Sequence, residues 1–211
     1  MRTEQLVDML ARHAGPAPRW AVERRLALAI AVGALASAAV AIAALGVNPG
    51  LSGMGVALAI KIAYVGGLLL GAAWLTDRAS RPGVLFRRAT WSLALVVAAM
   101  TTFAMAVLGL APDGTRLDLL LGRSWASCPG RVAILSIPAL AVTLWAMRGL
   151  APTRPRLAGF AAGTVAGSLG ALGYALYCPE LSPLFVLVWY SLGILVPAFI
   201  GAAVGPWVLR W

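Results

Sequence analysis

The sequence has few charged residues. Only 11% of its 211 residues are Asp, Glu, Lys or Arg, whereas 61% are hydrophobic. A soluble domain needs about 25% charged residues to cover its surface, so the composition excludes a soluble globular protein and indicates a membrane protein. The net charge of +10 does not indicate nucleic-acid binding, because the basic residues form short clusters between apolar runs, as in the loops of membrane proteins.

Acidic residues and histidine are absent from the positions where membrane chemistry would need them. All seven carboxylates lie in the N-terminal tail or between the apolar runs, and the single histidine is His13 in the tail. Ion-coupled transporters need such groups inside the membrane. The chain also lacks a CxxC pair and a set of four metal ligands. We therefore predict that it is not an enzyme and that it holds no cofactor and no structural metal site.

A cleavable signal peptide is also missing. The first 25 residues contain three acidic residues and two prolines but no apolar core, which a secretory signal requires. The first apolar run begins at Leu26, and we expect it to be retained as a membrane span.

Six apolar runs have the roughly 20 residues that cross a bilayer core of about 30 Å. They cover 26–46, 54–75, 91–111, 130–147, 157–177 and 185–208. Pro138 predicts a kink in the fourth run, because proline removes a helical hydrogen bond. The predicted fold is an all-α integral membrane protein: a six-transmembrane-helix bundle with short loops in residues 26–211, preceded by a tail in residues 1–25.

The arginines indicate the orientation of this bundle. Thirteen lie in the tail, the second and fourth loops and the C-terminus, whereas Arg116, Arg123 and Arg131 lie around the third loop. By the positive-inside rule both termini are cytoplasmic. Cys128 and Cys178 then share the opposite face, where a bacterial periplasm would permit a disulfide.

The tail contains a predicted cytoplasmic amphipathic helix at residues 3–13. Leu6, Met9 and Leu10 share one face at i, i+3 and i+4 spacing, and Val7 adjoins them. Thr3 is a suitable N-cap. A helix of this length is not stable alone, so we predict that its apolar residues bind a partner.

Lys61 is the one charged residue well inside a predicted span. An ionisable group at such a position indicates a function by default. A lysine in the outer third of the membrane can also extend its ammonium group to the interface. In the functional alternative, Lys61 pairs with Glu180 or Asp113 and ties its helix to the cysteine-bearing loops.

The two cysteines leave three alternatives open. They can form a permanent staple between the third and fifth loops, a reversible pair that reports oxidants or metals, or two unpaired thiols. Each cysteine adjoins the end of a span, and thiol pairs in an oxidising compartment tend to oxidise. Arg131, close to Cys128 in sequence, would favour a reactive thiolate.

Several stretches carry a resemblance to a known family. They are Leu6-Val7-Asp8-Met9-Leu10-Ala11 with Pro16, Pro18 and Arg24-Arg25, then Lys61-Ile62-Ala63-Tyr64, then residues 148–155 (RGLAPTRP), 177–183 (YCPELSP) and Val188-Trp189-Tyr190, and finally residues 205–210. On these residues the chain resembles the NrsF-like negative regulators of extracytoplasmic-function sigma factors, which are six-span inner-membrane proteins of proteobacteria. The resemblance covers nearly the whole chain.

The resemblance implies a membrane-bound anti-sigma factor that regulates transcription in a stress response. Residues 1–25 would bind the sigma factor through Leu6, Val7, Met9 and Leu10. A periplasmic pair matching Cys128 and Cys178 would sense oxidative or metal stress. The implied partners are the sigma factor and the lipid bilayer, with no direct contact to nucleic acid. A small membrane transporter or channel and a quinone-linked membrane thiol oxidoreductase remain as alternatives.

Overall fold

The structure of the chain, a computed structural model, describes residues 3–5, 7, 9, 20–81, 84–150 and 152–210. Its described residues form helices and connecting segments and no strand. The helices are α1 (Ala21–Leu45), α2 (Gly55–Ala79), α3 (Arg87–Leu110), α4 (Arg116–Leu121), α5 (Cys128–Leu135), α6 (Ile137–Met147), α7 (Pro155–Ala175) and α8 (Pro183–Val208).

Five of these helices, α1, α2, α3, α7 and α8, are long and apolar enough to cross a membrane. The pair α5 and α6 bends by 42° and provides a sixth span if the two are counted together. The break lies at Ser136, two residues before Pro138, whose ring cannot donate a helical hydrogen bond. The predicted kink in the fourth apolar run is therefore confirmed.

Helix α7 forms the centre of the bundle. In the most apolar stretch of 18 residues in α7, 83% of the residues are buried, compared with 11% in the corresponding stretch of α3. Its glycines allow the backbone of α8 to approach closely: a Cβ atom at Gly159 would overlap the carbonyl of Gly201, and one at Gly163 would overlap the carbonyl of Pro197. This close approach is the packing that small residues four positions apart provide between membrane helices.

The helix ends gather at two sites. At the first, which we call the arginine end, Glu23 of α1 pairs with Arg81 after α2, and Arg25 lies beside Gly149 after α6. At the second, the cysteine end, the amide of Asn48 after α1 donates to the carbonyl of Leu176 after α7 (3.1 Å). The loops predicted to share a face therefore do lie together.

Helix α3 lies on the outside of the bundle. It packs against α2, where Gly71 leaves room for Leu93. Its other faces expose large apolar side chains, including Trp91 (64% exposed) and Leu95 (70%). Exposed apolar surface of this extent fits contact with lipid.

Two local features differ from the sequence prediction. The third loop contains the short helix α4, whose 6 residues are far fewer than the roughly 20 of a membrane span. Helix α2 continues to Ala79, so Asp77, which was predicted to lie in a loop, belongs to the last turn of the helix.

Candidate functional site

The two cysteines lie in one buried cluster at the cysteine end. Cys128 is the first residue of α5, and Cys178 follows α7. Both side chains are fully buried, and both thiols are free. Their amides are fixed by turns: Cys128 donates to the carbonyl of Ser124 (2.9 Å) and Cys178 to that of Tyr174 (3.0 Å). A reagent from solvent therefore reaches neither thiol unless the loops move.

Close helix packing brings the two cysteines into the same cluster. A Cβ atom at Gly170 of α7 would lie 2.7 Å from the carbonyl of Val132 in α5. One at Gly193 of α8 would lie 2.8 Å from the side chain of Val132. Three helices thus meet around Val132, one turn after Cys128. The cysteines share the hydrophobic cluster that this meeting creates.

Two tyrosines belong to the same cluster. Tyr174 and Tyr190 are fully buried, with their ring centroids 5.8 Å apart. Both hydroxyl oxygens are buried: that of Tyr174 lies beside Cys128 and that of Tyr190 beside Cys178, and neither contact has the full geometry of a hydrogen bond. A buried hydroxyl without a well-formed hydrogen bond is costly inside a protein, so each thiol is the nearest polar neighbour of a hydroxyl that is poorly satisfied. A change in the chemistry of the thiols can alter this balance.

Lys61 connects α2 to the cysteine-bearing loop. Its side chain is fully buried, and its ammonium group donates to the carbonyl of Cys178 (2.8 Å). The side chain therefore does not extend to the surface, as a snorkelling lysine would. One turn along α2, the hydroxyl of Tyr64 hydrogen bonds with that of Ser191 in α8 (2.6 Å). Lys61 therefore ties α2 to the cysteine-bearing loop, but its hydrogen-bond partner is the carbonyl of Cys178 and not the predicted carboxylate of Glu180, which binds Arg123 and Ser124.

Glu180 holds the third loop against the fifth. One of its carboxylate oxygens accepts hydrogen bonds from the amide of Arg123 (2.7 Å) and from the amide and hydroxyl of Ser124 (both 3.1 Å). Gly122 has φ of +55°, a conformation that favours glycine, and it lies against this carboxylate. We call these contacts the Glu180 clip. These contacts were not predicted from the sequence, in which Glu180 was a candidate partner for Lys61.

Two further contacts support the same loop. The indole of Trp189 donates to the carbonyl of Leu120 (2.7 Å), and its ring packs on Trp125, with centroids 5.4 Å apart. The guanidinium of Arg131 lies 5.2 Å from the ring centre of Tyr177. The arginine that we expected to activate Cys128 thus stacks on an aromatic ring.

The predicted partner-binding helix is only partly described. Residues 3–5, Val7 and Met9 are helical, whereas Leu6 and Leu10 lie outside the described residues. Val7 is 60% exposed and Met9 is 51% exposed. Both described members of the predicted apolar face are therefore accessible to a partner.

At the arginine end, Arg81 joins two helices. It hydrogen bonds to Asp77 (3.0 Å) in α2 and to Glu23 in α1. These two carboxylates, Asp77 first, raise the pKa of Arg81. The network fixes the start of α1, and with it the point where the tail joins the bundle.

Comparison with known proteins agrees with the resemblance seen in the sequence. Residues 10–211 match the family described as NrsF, negative regulator of sigma F. The chain is 41% identical over 214 residues to the "Probable anti-sigma-F factor NrsF" of Azospira oryzae, and 42% identical over 219 residues to the "Anti-sigma-F factor NrsF" of Caulobacter vibrioides. Both alignments cover 100% of each protein. No solved structure matches the chain.

Proposed function

The chain belongs to the NrsF family of negative regulators of sigma F, and from this membership we propose that it is an anti-sigma factor of the bacterial inner membrane. It sequesters an extracytoplasmic-function sigma factor and releases it under oxidative or metal stress. The observation that carries the proposal is the identity of 41–42% over the full length of two relatives named as anti-sigma-F factors.

The distribution of arginines supports a cytoplasmic position for both termini. Thirteen of the sixteen arginines belong to segments at the arginine end or to the tail, and three belong to the third loop and the start of α5. Basic residues stay on the cytoplasmic side during insertion. In this orientation the tail meets a cytoplasmic sigma factor, and the cysteine end faces the periplasm.

The tail is the proposed sigma-binding element. Val7 and Met9 leave apolar surface exposed on a helical segment, and Leu6 and Leu10 complete the predicted face. An amphipathic helix of this kind binds in a hydrophobic groove through residues at i, i+3 and i+4. Binding would supply the packing that a short helix needs to remain folded.

The cysteine end is the proposed sensor. A peroxide oxidises the thiols of Cys128 and Cys178 to a disulfide: two protons and two electrons leave the sulfur atoms, and the peroxide is reduced to water or to an alcohol and water. A soft metal ion can instead displace the two thiol protons. Either change alters the packing around Tyr174 and Tyr190 and the position of the Cys178 carbonyl.

Lys61 is the proposed link between the sensor and the bundle. Its ammonium group holds the Cys178 carbonyl, so a movement of that loop changes the environment of α2. Helix α2 ends at the arginine end, where Arg81 binds the first turn of α1. To change sigma binding from 99% to 1%, the two thiol states must differ by about 5.5 kcal/mol in their preference for the sigma-bound form.

The tail is tested by a double substitution, Leu6→Glu and Leu10→Glu. It places two charges on the apolar face, and we expect loss of repression in a reporter of sigma-dependent transcription. Gln5→Glu with Arg12→Gln is the matched control, because it changes the net charge by the same two units on the polar side of the predicted helix. Full repression by the Leu6/Leu10 variant, at equal protein level, would remove the tail from the mechanism.

A further inference from the structure

The arginine end contains a cavity that the anti-sigma function does not use. It has a volume of about 460 Å³ and lies where the end of α2 meets the start of α3. Its walls include three arginines, Arg78, Arg87 and Arg88, together with the apolar side chains of Trp74 and Leu85. We propose that this cavity binds the phosphate of an anionic phospholipid.

No carboxylate among the described residues neutralises the charge of these three arginines. The contrast is Arg81 nearby, which is paired with two acids. Arg87 and Arg88 are exposed, and Arg78 stacks 5.9 Å from the ring centre of Trp74. Guanidinium groups form bidentate hydrogen bonds with phosphate oxygens. The arginine-lined wall of the cavity is therefore suited to bind a phosphate group.

The apolar wall indicates a lipid as the source of that phosphate. Leu85 is 86% exposed and Trp74 is 39% exposed. They lie beside the outer surface of α3, which exposes apolar residues along its length. A phospholipid satisfies both walls, since its phosphate meets the arginines while its acyl chains cover the leucine and the tryptophan. An acidic protein segment or a free phosphate ion would leave the apolar wall uncovered.

A second cavity of about 240 Å³ adjoins the first. It shares Arg78 and Leu85 with the first and adds Arg154, which stacks 5.2 Å from the ring centre of Phe86. Basic pockets of this kind between membrane helices on the cytoplasmic side suit lipids with anionic headgroups. A lipid with two phosphates, such as cardiolipin, places one phosphate in each cavity, so we expect it to bind more tightly than phosphatidylglycerol.

The test uses the full chain, purified in mild detergent with an equal mixture of phosphatidylglycerol, cardiolipin, phosphatidylethanolamine and phosphatidylcholine. Native mass spectrometry counts the lipids that remain bound. Each basic residue near an anionic headgroup contributes roughly fivefold to binding. We expect the wild type to retain anionic lipid, and Arg87→Gln with Arg88→Gln to weaken its binding by about 25-fold.

The matched control is Arg148→Gln with Arg156→Gln. It removes the same charge at the same end of the bundle, from exposed positions outside the cavity walls. We expect it to retain lipid as the wild type does. The single variant Arg78→Gln, with an expected loss of about fivefold, serves if the double variant does not fold.

Three results would overturn the proposal. The first is that the wild type retains anionic and zwitterionic lipids equally. The second is that the control loses as much lipid as the cavity variant, which would indicate general charge attraction. The third is that the cavity variant retains its lipid but no longer captures a sigma factor in phosphatidylcholine nanodiscs, which would assign the cavity to a protein partner.

Discussion

In the proposed orientation, the Glu180 clip should control how fast Cys128 and Cys178 react with a thiol reagent that cannot cross the membrane. Both thiols are fully buried, so a reagent reaches them only when the third and fifth loops separate. The rate of reaction then follows the population of the open form. Glu180→Ala removes the acceptor of three hydrogen bonds and should make opening more frequent.

The size of this effect follows from the contacts. A hydrogen bond to a charged group contributes about 1.5–3 kcal/mol when it is well buried. Glu180 is only half-buried and its three bonds act together, so we take about 2 kcal/mol for the whole clip. Since about 1.4 kcal/mol corresponds to a factor of ten, thiol modification should become roughly 30-fold faster.

The assay is the labelling rate of both thiols in intact cells with a membrane-impermeant maleimide, resolved on gels by mass shift. Asp118→Asn is the control: Asp118 lies exposed in the same loop, so its loss changes the charge but leaves the clip intact, and the rate should stay within about twofold. Equal rates in Glu180→Ala and the wild type would refute the gating role of the clip. Labelling of Glu180→Ala by a permeant reagent alone would refute the proposed orientation.

Three further predictions concern the bundle. Gly163→Leu should lower the free energy of unfolding by about 3 kcal/mol or more, because a Cβ atom at this position overlaps the backbone carbonyl of Pro197. Gly66→Leu is the control and should be tolerated, because a Cβ atom there has no neighbour within 4 Å. Thermal melting in detergent compares the two variants, and equal losses would contradict the prediction. Tyr64→Phe loses the hydrogen bond to Ser191 and should lower the free energy of unfolding by about 1 kcal/mol. The same melts measure this loss, and an unchanged melting temperature would contradict the prediction. Lys61→Met should change the melting temperature little, because loss of the hydrogen bond to the Cys178 carbonyl is offset by removal of a buried charge. The same variant should accelerate labelling of the two thiols. An unchanged labelling rate would show that Lys61 does not anchor the loop.

Much of the fold follows from hydropathy and proline. Runs of about 20 apolar residues can remain in a bilayer only as helices, so the described membrane-length helices overlap the predicted segments. The kink at Pro138 follows from the missing amide of proline. Gly159, Gly163 and Gly167 are four positions apart in the sequence, but only the structure identifies α8 as the helix that packs against them.

The site was less predictable because its contacts join distant segments. Nothing in the sequence near Lys61 shows that its ammonium group would bond to a carbonyl 117 positions away. The Glu180 clip requires the loop conformation that Gly122 permits, which hydropathy does not report. Burial of Cys128 and Cys178 depends on three helices meeting at Val132, which the position of each cysteine beside a loop does not reveal.

The most direct test of the proposed function is capture of a sigma factor before and after oxidation. Full-length chain in nanodiscs is mixed with each purified extracytoplasmic-function sigma factor of its organism, and the bound fraction is measured with and without peroxide. We predict that the reduced chain binds one of them, that peroxide releases it, and that a variant with Cys128→Ser and Cys178→Ser retains it. The account would be contradicted if the reduced chain bound none of these sigma factors. It would also be contradicted if peroxide released the sigma factor equally from the wild type and from the variant that lacks both cysteines.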